Sequence, residues 1–304
     1  MNEDTYELNF LKRKFQKLSD IEKQKAWLLF SESMTDYSVK NLEQIQLTTM
    51  AEFVEPALEH YKNFGKMMGL SSGFRKIDEL TKGIVNGELI VVSGPTSYGK
   101  TSLAINIANK VALTGVPVLF VTLEMTKPEL TSRFLVINGG QTEDFNAVAN
   151  CVAFQSSDEL NWQSVDKLVH NFCKNFDNGL IIIDHLHYFT RELNNVAEDL
   201  GRITKEFKKN AIRHNVPIIL ISHIRKTDKK AADINDLRGS SYIAQDADIV
   251  LMVGRNHLDA NELTVKIEKN RNRGFDYKDN IAELWIDGIT IYDNQPVDWS
   301  NYND

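Results

Sequence analysis

Eight consecutive residues, Gly94-Pro95-Thr96-Ser97-Tyr98-Gly99-Lys100-Thr101, follow the spacing G-x-x-x-x-G-K-[ST] used for gripping phosphate. The glycines let the backbone turn tightly, so that its N–H groups and the start of the next helix face an anion. Lys100 is placed to reach the β- and γ-phosphates, the Thr101 hydroxyl to hold Mg2+, and Ser102 completes the set. The apolar run ELIVVS precedes the loop and the helical segment SLAINIANKVAL follows it. Strand, loop and helix in that order is the context the motif requires, so the implied ligand is ATP, or another nucleoside triphosphate, with Mg2+.

Such a site needs an acidic residue at the end of another buried strand to organise the metal. Asp184, closing the run GLIIID, fits that role. Many hydrolytic ATPases place a catalytic carboxylate directly after this Asp; here the next residue is His185, so the general base must come from elsewhere. Glu124, at the end of the run VPVLFVTLE, is the candidate, because a carboxylate on a neighbouring strand end could orient a water toward the γ-phosphate. The alternative is a glutamate that only complements the dipole of the helix starting near TKPELTSRF.

The elements that must position these residues are legible as texture. From Gly69 onward, short β-branched runs alternate with helical or polar stretches: 88–94, 116–124, 179–189, 216–223, 247–254 and 263–269. Runs this continuous predict strands buried on both faces of a mostly parallel sheet, an α/β fold with its ligand site at the carboxyl ends of the strands. Residues 1 to about 65 have no Gly before Gly65 and only Pro56, and they predict helix. Met50, Phe53, Val54, Ala57, Leu58, Tyr61 and Phe64 form one apolar stripe, which must pack on its own domain or on a neighbouring subunit. The expected division is a helical extension and linker helix over 1–65, an ATPase domain over 66–292 and a tail over 293–304.

Composition narrows the classes. With 42% hydrophobic residues the chain can close a core and is not disordered. A net charge of −7 means that nucleic acid could be held only by a local basic surface. Cys151 and Cys173 fit no metal spacing and predict buried small hydrophobes in a reducing compartment. No apolar run approaches the ~20 residues of a membrane span. The expectation is a cytoplasmic protein without a membrane partner.

In ordered succession the chain resembles the DnaB-like replicative helicases, a branch of the RecA-like ATPases. Over roughly 69–287 the blocks SSGFRKIDELTKGIVNGELIVVSG, the phosphate loop, VLFVTLEMTKPELTSR, IIIDHLHYF, VPIILISH, DLRGSSYIAQDADIVLMV and VKIEKNRNRG all fall into place. The resemblance implies a RecA-like core acting as a DNA helicase motor. It makes Lys100 and Thr101 the phosphate and Mg2+ ligands, Glu124 the catalytic base and Asp184 the Mg2+-organising acid. His223 becomes the polar sensor of the γ-phosphate, where many bacterial members carry Gln; a strand-end His satisfied by backbone is the alternative. Lys269 and Arg271 match a Lys-x-Arg element that reaches the ATP of the next subunit, with Arg271 as finger, unless both are solvated surface charge.

The DNA-contacting loops of the family would fall at about 188–199 and 225–241. The second gathers Arg225, Lys226, Lys229, Lys230 and Arg238, with Gly239, Ser240 and Ser241 as further donors to phosphate, and is otherwise a solvated loop. The implied assembly is a homohexamer moving 5′-to-3′ on single-stranded DNA, with a primase or DNA polymerase of the same replication system as further partners. About 65 N-terminal residues are too few for the larger N-terminal domain of bacterial members or for a primase, which suggests a short, phage-type member. A RecA-like recombination or loading ATPase without unwinding activity is the rival reading.

Overall fold

Six parallel strands and an antiparallel meander make one nine-stranded sheet in the computed structural model, which describes residues 66–140, 142–156, 162–176, 178–190, 196–223, 241–256, 259–271 and 279–296, with isolated positions at 50, 54–55, 58 and 62. The chain divides into two compact units, Met1–Lys62 and Asn63–Asp304, and the sheet belongs to the second. Its elements begin with α1 (Arg75–Thr81), β1 (Leu89–Gly94), α2 (Lys100–Leu113) and β2 (Val118–Thr122). They continue with α3 (Lys127–Ile137), α4 (Thr142–Cys151), β3 (Val152–Ser156), α5 (Trp162–Asn175) and β4 (Leu180–Asp184). A short 3-10 turn, Leu186–Thr190, leads to α6 (Val196–His214) and β5 (Ile218–His223). The last elements are α7 (Ser241–Asp246), β6 (Ile249–Arg255), β7 (Glu262–Asn270), β8 (Ile281–Asp287) and β9 (Thr290–Tyr292).

The spatial order β3-β2-β4-β5-β1-β6-β7-β8-β9 puts β1, which feeds the phosphate loop, between β5 and β6. Alternate residues of the parallel strands face two separate cores. Ile90, Val92, Phe120, Ile182 and Ile221 pack with Leu103, Ile107 and Val111 of α2 and with Leu130 and Phe134 of α3. Leu89, Val91, Val121, Ile183 and Leu220 pack on the other side with Val165 and Val169 of α5 and with Leu200, Ile203 and Phe207 of α6. Helices cover both faces, which is why these strands read as unbroken apolar runs.

The expected runs correspond to β1, β2, β4, β5, β6 and β7, with corrections at their ends. The run at 263–269 is not a doubly buried parallel strand: β7 is antiparallel to β6 and β8, and its burial alternates, with Leu263, Val265 and Ile267 inward. The run at 179–189 breaks at His185, whose φ of 77° cannot continue a strand, and Leu186–Thr190 turns as 3-10 helix. Glu124 does not end a strand, since β2 stops at Thr122 and Glu124 lies in the bend beyond. β3, β8 and β9 are additions to the strands expected from sequence. Cys151 and Cys173 are half-buried rather than buried, because each packs at the margin of a core, Cys151 on the side of α2 and Cys173 on the side of α6.

Among the described positions of the N-terminal stripe, Met50, Val54 and Leu58 are exposed; its other members lie outside the described residues. So do Arg225, Lys226, Lys229, Lys230, Arg238, Gly239 and Ser240, while Ser241 opens α7.

Candidate nucleotide site

Gly94 closes β1 with φ 150°, and a Cβ there would lie 2.4 Å from the Val253 carbonyl of β6, so the strand can turn into the loop only as glycine. Gly99, at φ 93°, takes the left-handed conformation that starts α2. No side chain caps that helix, which leaves the N–H groups of its first turn open to an anion. Lys100 is 3% exposed, and its ammonium donates to the Pro95 carbonyl at 2.7 Å, folding the side chain back over the loop. Burial pulls its pKa down to about 8, against the Asp184 and Glu124 carboxylates, which favour the charge.

Register sets the rest of the cleft. Thr122 of β2 pairs with Asp184 of β4, and Gly94 of β1 pairs with His223 of β5, so four strand ends meet on one edge. Asp184 is fully buried. One of its carboxylate oxygens, Oδ1, accepts from the Thr101 hydroxyl at 3.3 Å, and the other, Oδ2, has no hydrogen-bond partner. Burial, then the Glu124 carboxylate, pushes Asp184 up to about 7, while Thr101, Lys100 and Arg133 oppose that rise. A buried carboxylate oxygen without a partner beside a threonine hydroxyl is a set of hard oxygen donors, and it fits a Mg2+ ion held by Thr101 and Asp184.

Glu124 is held by the Thr122 side chain, whose hydroxyl accepts from the Glu124 and Met125 N–H groups at 3.4 and 3.3 Å. Its carboxylate contacts Nδ1 of His185 and lies 4.0 Å from Nε2 of His223. The start of α3 is served by other residues: Thr126 and Glu129 form a reciprocal capping box. Glu124 is thus outside the helix cap and lines a cleft of about 980 Å³ together with Thr101, Met125, Arg133, Asp184 and Tyr188.

Lys269 and Arg271 lie elsewhere. The Lys269 ammonium donates to the Ala244, Gln245 and Ala247 carbonyls at 2.7, 3.1 and 2.6 Å, closing the carboxyl end of α7. The Arg271 N–H donates to the Asp248 carbonyl, and Asp248 in turn accepts from Leu89 N–H, the first residue of β1. Arg271 therefore sits at the amino end of the parallel strands, roughly 17 Å of β1 away from the phosphate loop.

Three residues near the phosphate loop carry no assigned role in the sequence. His185 stands there only as an interruption, and Arg133 lies inside a matching block without a function. Arg255, at the end of β6, brings its guanidinium to 3.7 Å from the place a Cβ on Gly99 would occupy. The positive charges of Arg133 and Arg255 near a phosphate loop are not legible in sequence because their distance to it is set by sheet order.

A family model for the DnaB-like helicase C terminal domain matches residues 69–144 and 141–278. The chain belongs to this family. Its DnaB-like relatives include a probable replicative DNA helicase of Trieres chinensis, 28% identical over 254 residues that cover 72% of this chain and 54% of that protein. The replicative DNA helicase DnaB of Mycoplasma genitalium is 30% identical over 244 residues, covering 67% and 52%. The chain thus spans about half the length of the curated relatives it matches. Among solved structures, a separately solved ATPase domain superposes with a TM-score of 0.70 at 19% identity, covering 79% of this chain and 96% of that one. A DnaB-like replicative helicase solved for its interactions with primase gives 0.68 at 19% identity, covering 89% and 76%. The fold is the RecA-like α/β fold of DnaB-like ATPase domains. Among the described residues no helix is long and apolar enough to cross a membrane.

Proposed function

We propose that this protein is the ATP-driven motor of a replicative DNA helicase, working as a homohexameric ring that moves 5′-to-3′ on single-stranded DNA. Residues 66–292 form the motor, 1–65 a helical extension with the linker helix, and 293–304 a tail. The loop from Gly94 to Thr101, with Ser102, binds the triphosphate, and Lys100 neutralises its outer phosphates. Thr101 and Asp184 hold Mg2+, which when bound offsets charge on the β- and γ-phosphates. Glu124 orients the attacking water and takes its proton; His223, beside Gly94 at the end of β5, reports the γ-phosphate to the chain that follows it, residues 225–241, which grips the DNA backbone.

The observation that carries the ring reading is the separation of Arg271 from its own phosphate loop by the length of β1. An arginine at the far end of the strands can meet a γ-phosphate only in a second copy of the chain. A primase or polymerase of the same replication system is the expected further partner, as is a cytoplasmic setting.

The test is unwinding of a forked DNA with labelled strands in the presence of ATP and Mg2+, with single-stranded tails of either polarity. Unwinding that needs hydrolysis and a 5′ tail supports the reading. DNA-stimulated ATP hydrolysis without strand separation would instead favour a RecA-like loading or recombination ATPase.

A further inference from the structure

We propose that Glu124, His185 and His223 together form a binding site for a zinc-type transition-metal ion, distinct from the Mg2+ position at Thr101 and Asp184. One ligand atom from each of the three residues lies within 4.8 Å of the other two. The carboxylate touches Nδ1 of His185 and is 4.0 Å from Nε2 of His223, and the two imidazole rings are 4.7 Å apart at 49°. His223 ends β5, His185 directly follows β4 and Glu124 lies in the bend after β2; these three strands are parallel neighbours, so their carboxyl ends open on the same edge. The left-handed backbone at His185, φ 77°, turns the chain immediately after β4 at this edge.

Two imidazole nitrogens and one carboxylate oxygen are a donor set for Zn2+, leaving a fourth position open to water. At metal–ligand lengths of about 2.0–2.2 Å a tetrahedral site separates its ligand atoms by about 3.3 Å, so the Glu124–His185 contact must open while the 4.0 Å Glu124–His223 separation closes. The Glu124 side chain is 39% exposed and has room to make that adjustment. Mg2+ is a hard cation that prefers oxygen donors, so it is a poor competitor for the nitrogens. Bound Zn2+ would also engage the Glu124 carboxylate and suppress hydrolysis; that consequence rests on the role proposed for Glu124, whereas binding does not.

The test is calorimetric titration of the full chain with Zn2+ in excess Mg2+, and visible absorption of Co2+ as a geometric probe. One ion per chain is expected, with tetrahedral Co2+ bands. His185→Asn, His223→Gln and Glu124→Gln should each weaken binding at least about tenfold, the loss that removing even an outer partner of a metal ligand produces. Cys151→Ser/Cys173→Ser should bind as the wild type does. Equal Zn2+ affinity in the His185→Asn/His223→Gln variant, or no binding to the wild type, would overturn the site and leave the ATPase reading untouched. Binding lost in those variants but without inhibition of turnover supports the site and removes Glu124 from the hydrolytic step.

Discussion

The Lys208 ammonium meets the Asp248 carboxylate at 2.6 Å beneath the sheet, with the two side chains 18% and 3% exposed. The same carboxylate oxygen accepts from the Leu89 N–H at 2.8 Å, and Lys208 also donates to the Gly87 carbonyl at 2.9 Å. This buried pair ties α6 to the first residue of β1 and to the strand opening that holds Arg271. Asp248→Ala leaves a buried ammonium without its partner and should cost about 3–5 kcal/mol of stability. Lys208→Met leaves Asp248 its hydrogen bond from Leu89 and should cost less. Denaturant unfolding that found Asp248→Ala within about 1 kcal/mol of wild type would show that this pair does not anchor β1.

Removing the phosphate-binding charge and removing the base should have separable effects. Lys100→Ala should abolish binding of a fluorescent ATP analogue. Glu124→Gln should bind it nearly as wild type but lose turnover by orders of magnitude, since the water is no longer deprotonated. Normal hydrolysis by Glu124→Gln would return the carboxylate to a role in shaping the cleft.

Arg271 provides the test of catalysis across an interface. Arg271→Ala should retain nucleotide affinity and lower turnover by about 10³, as removal of other arginine fingers does. Mixed with Glu124→Gln subunits, it should recover part of the activity, because some interfaces then contain both intact groups. Mixtures that exchange subunits yet stay inactive would place Arg271 outside the reaction.

If residues 225–241 hold the DNA backbone, Lys229→Ala/Lys230→Ala/Arg238→Ala should bind every single-stranded sequence more weakly. The slope of binding against salt should fall by about one unit per lost phosphate contact. Unchanged affinity would make this segment ordinary solvated surface.

The apolar stripe from Met50 to Phe64 is expected to dock on an adjacent subunit. Deletion of residues 1–65 should then leave a folded, ATP-binding monomer by analytical ultracentrifugation. Rings that persist at low concentration would mean that the stripe packs within its own chain.

The local chemistry was written in the sequence. A phosphate loop is a contiguous motif whose glycines, lysine and threonine work through neighbouring backbone, so residues 94–101 announced the strand before them and the helix after them. The unbroken apolar runs of β1, β2, β4, β5 and β6 likewise reported burial on two faces, a property each strand carries by itself. Sheet order is different, because it depends on which runs pair across long stretches of chain. Only the tertiary structure decided that β4 lies between β2 and β5, bringing Glu124, Asp184, His185 and His223 to one edge. It also put Arg133 and Arg255 near the loop, through positions that no sequence spacing encodes. The sequence marks Arg271 only through its resemblance to a Lys-x-Arg element; that it stands at the opposite end of β1 from Lys100 follows from the antiparallel return of β7, and this keeps it from its own phosphate loop.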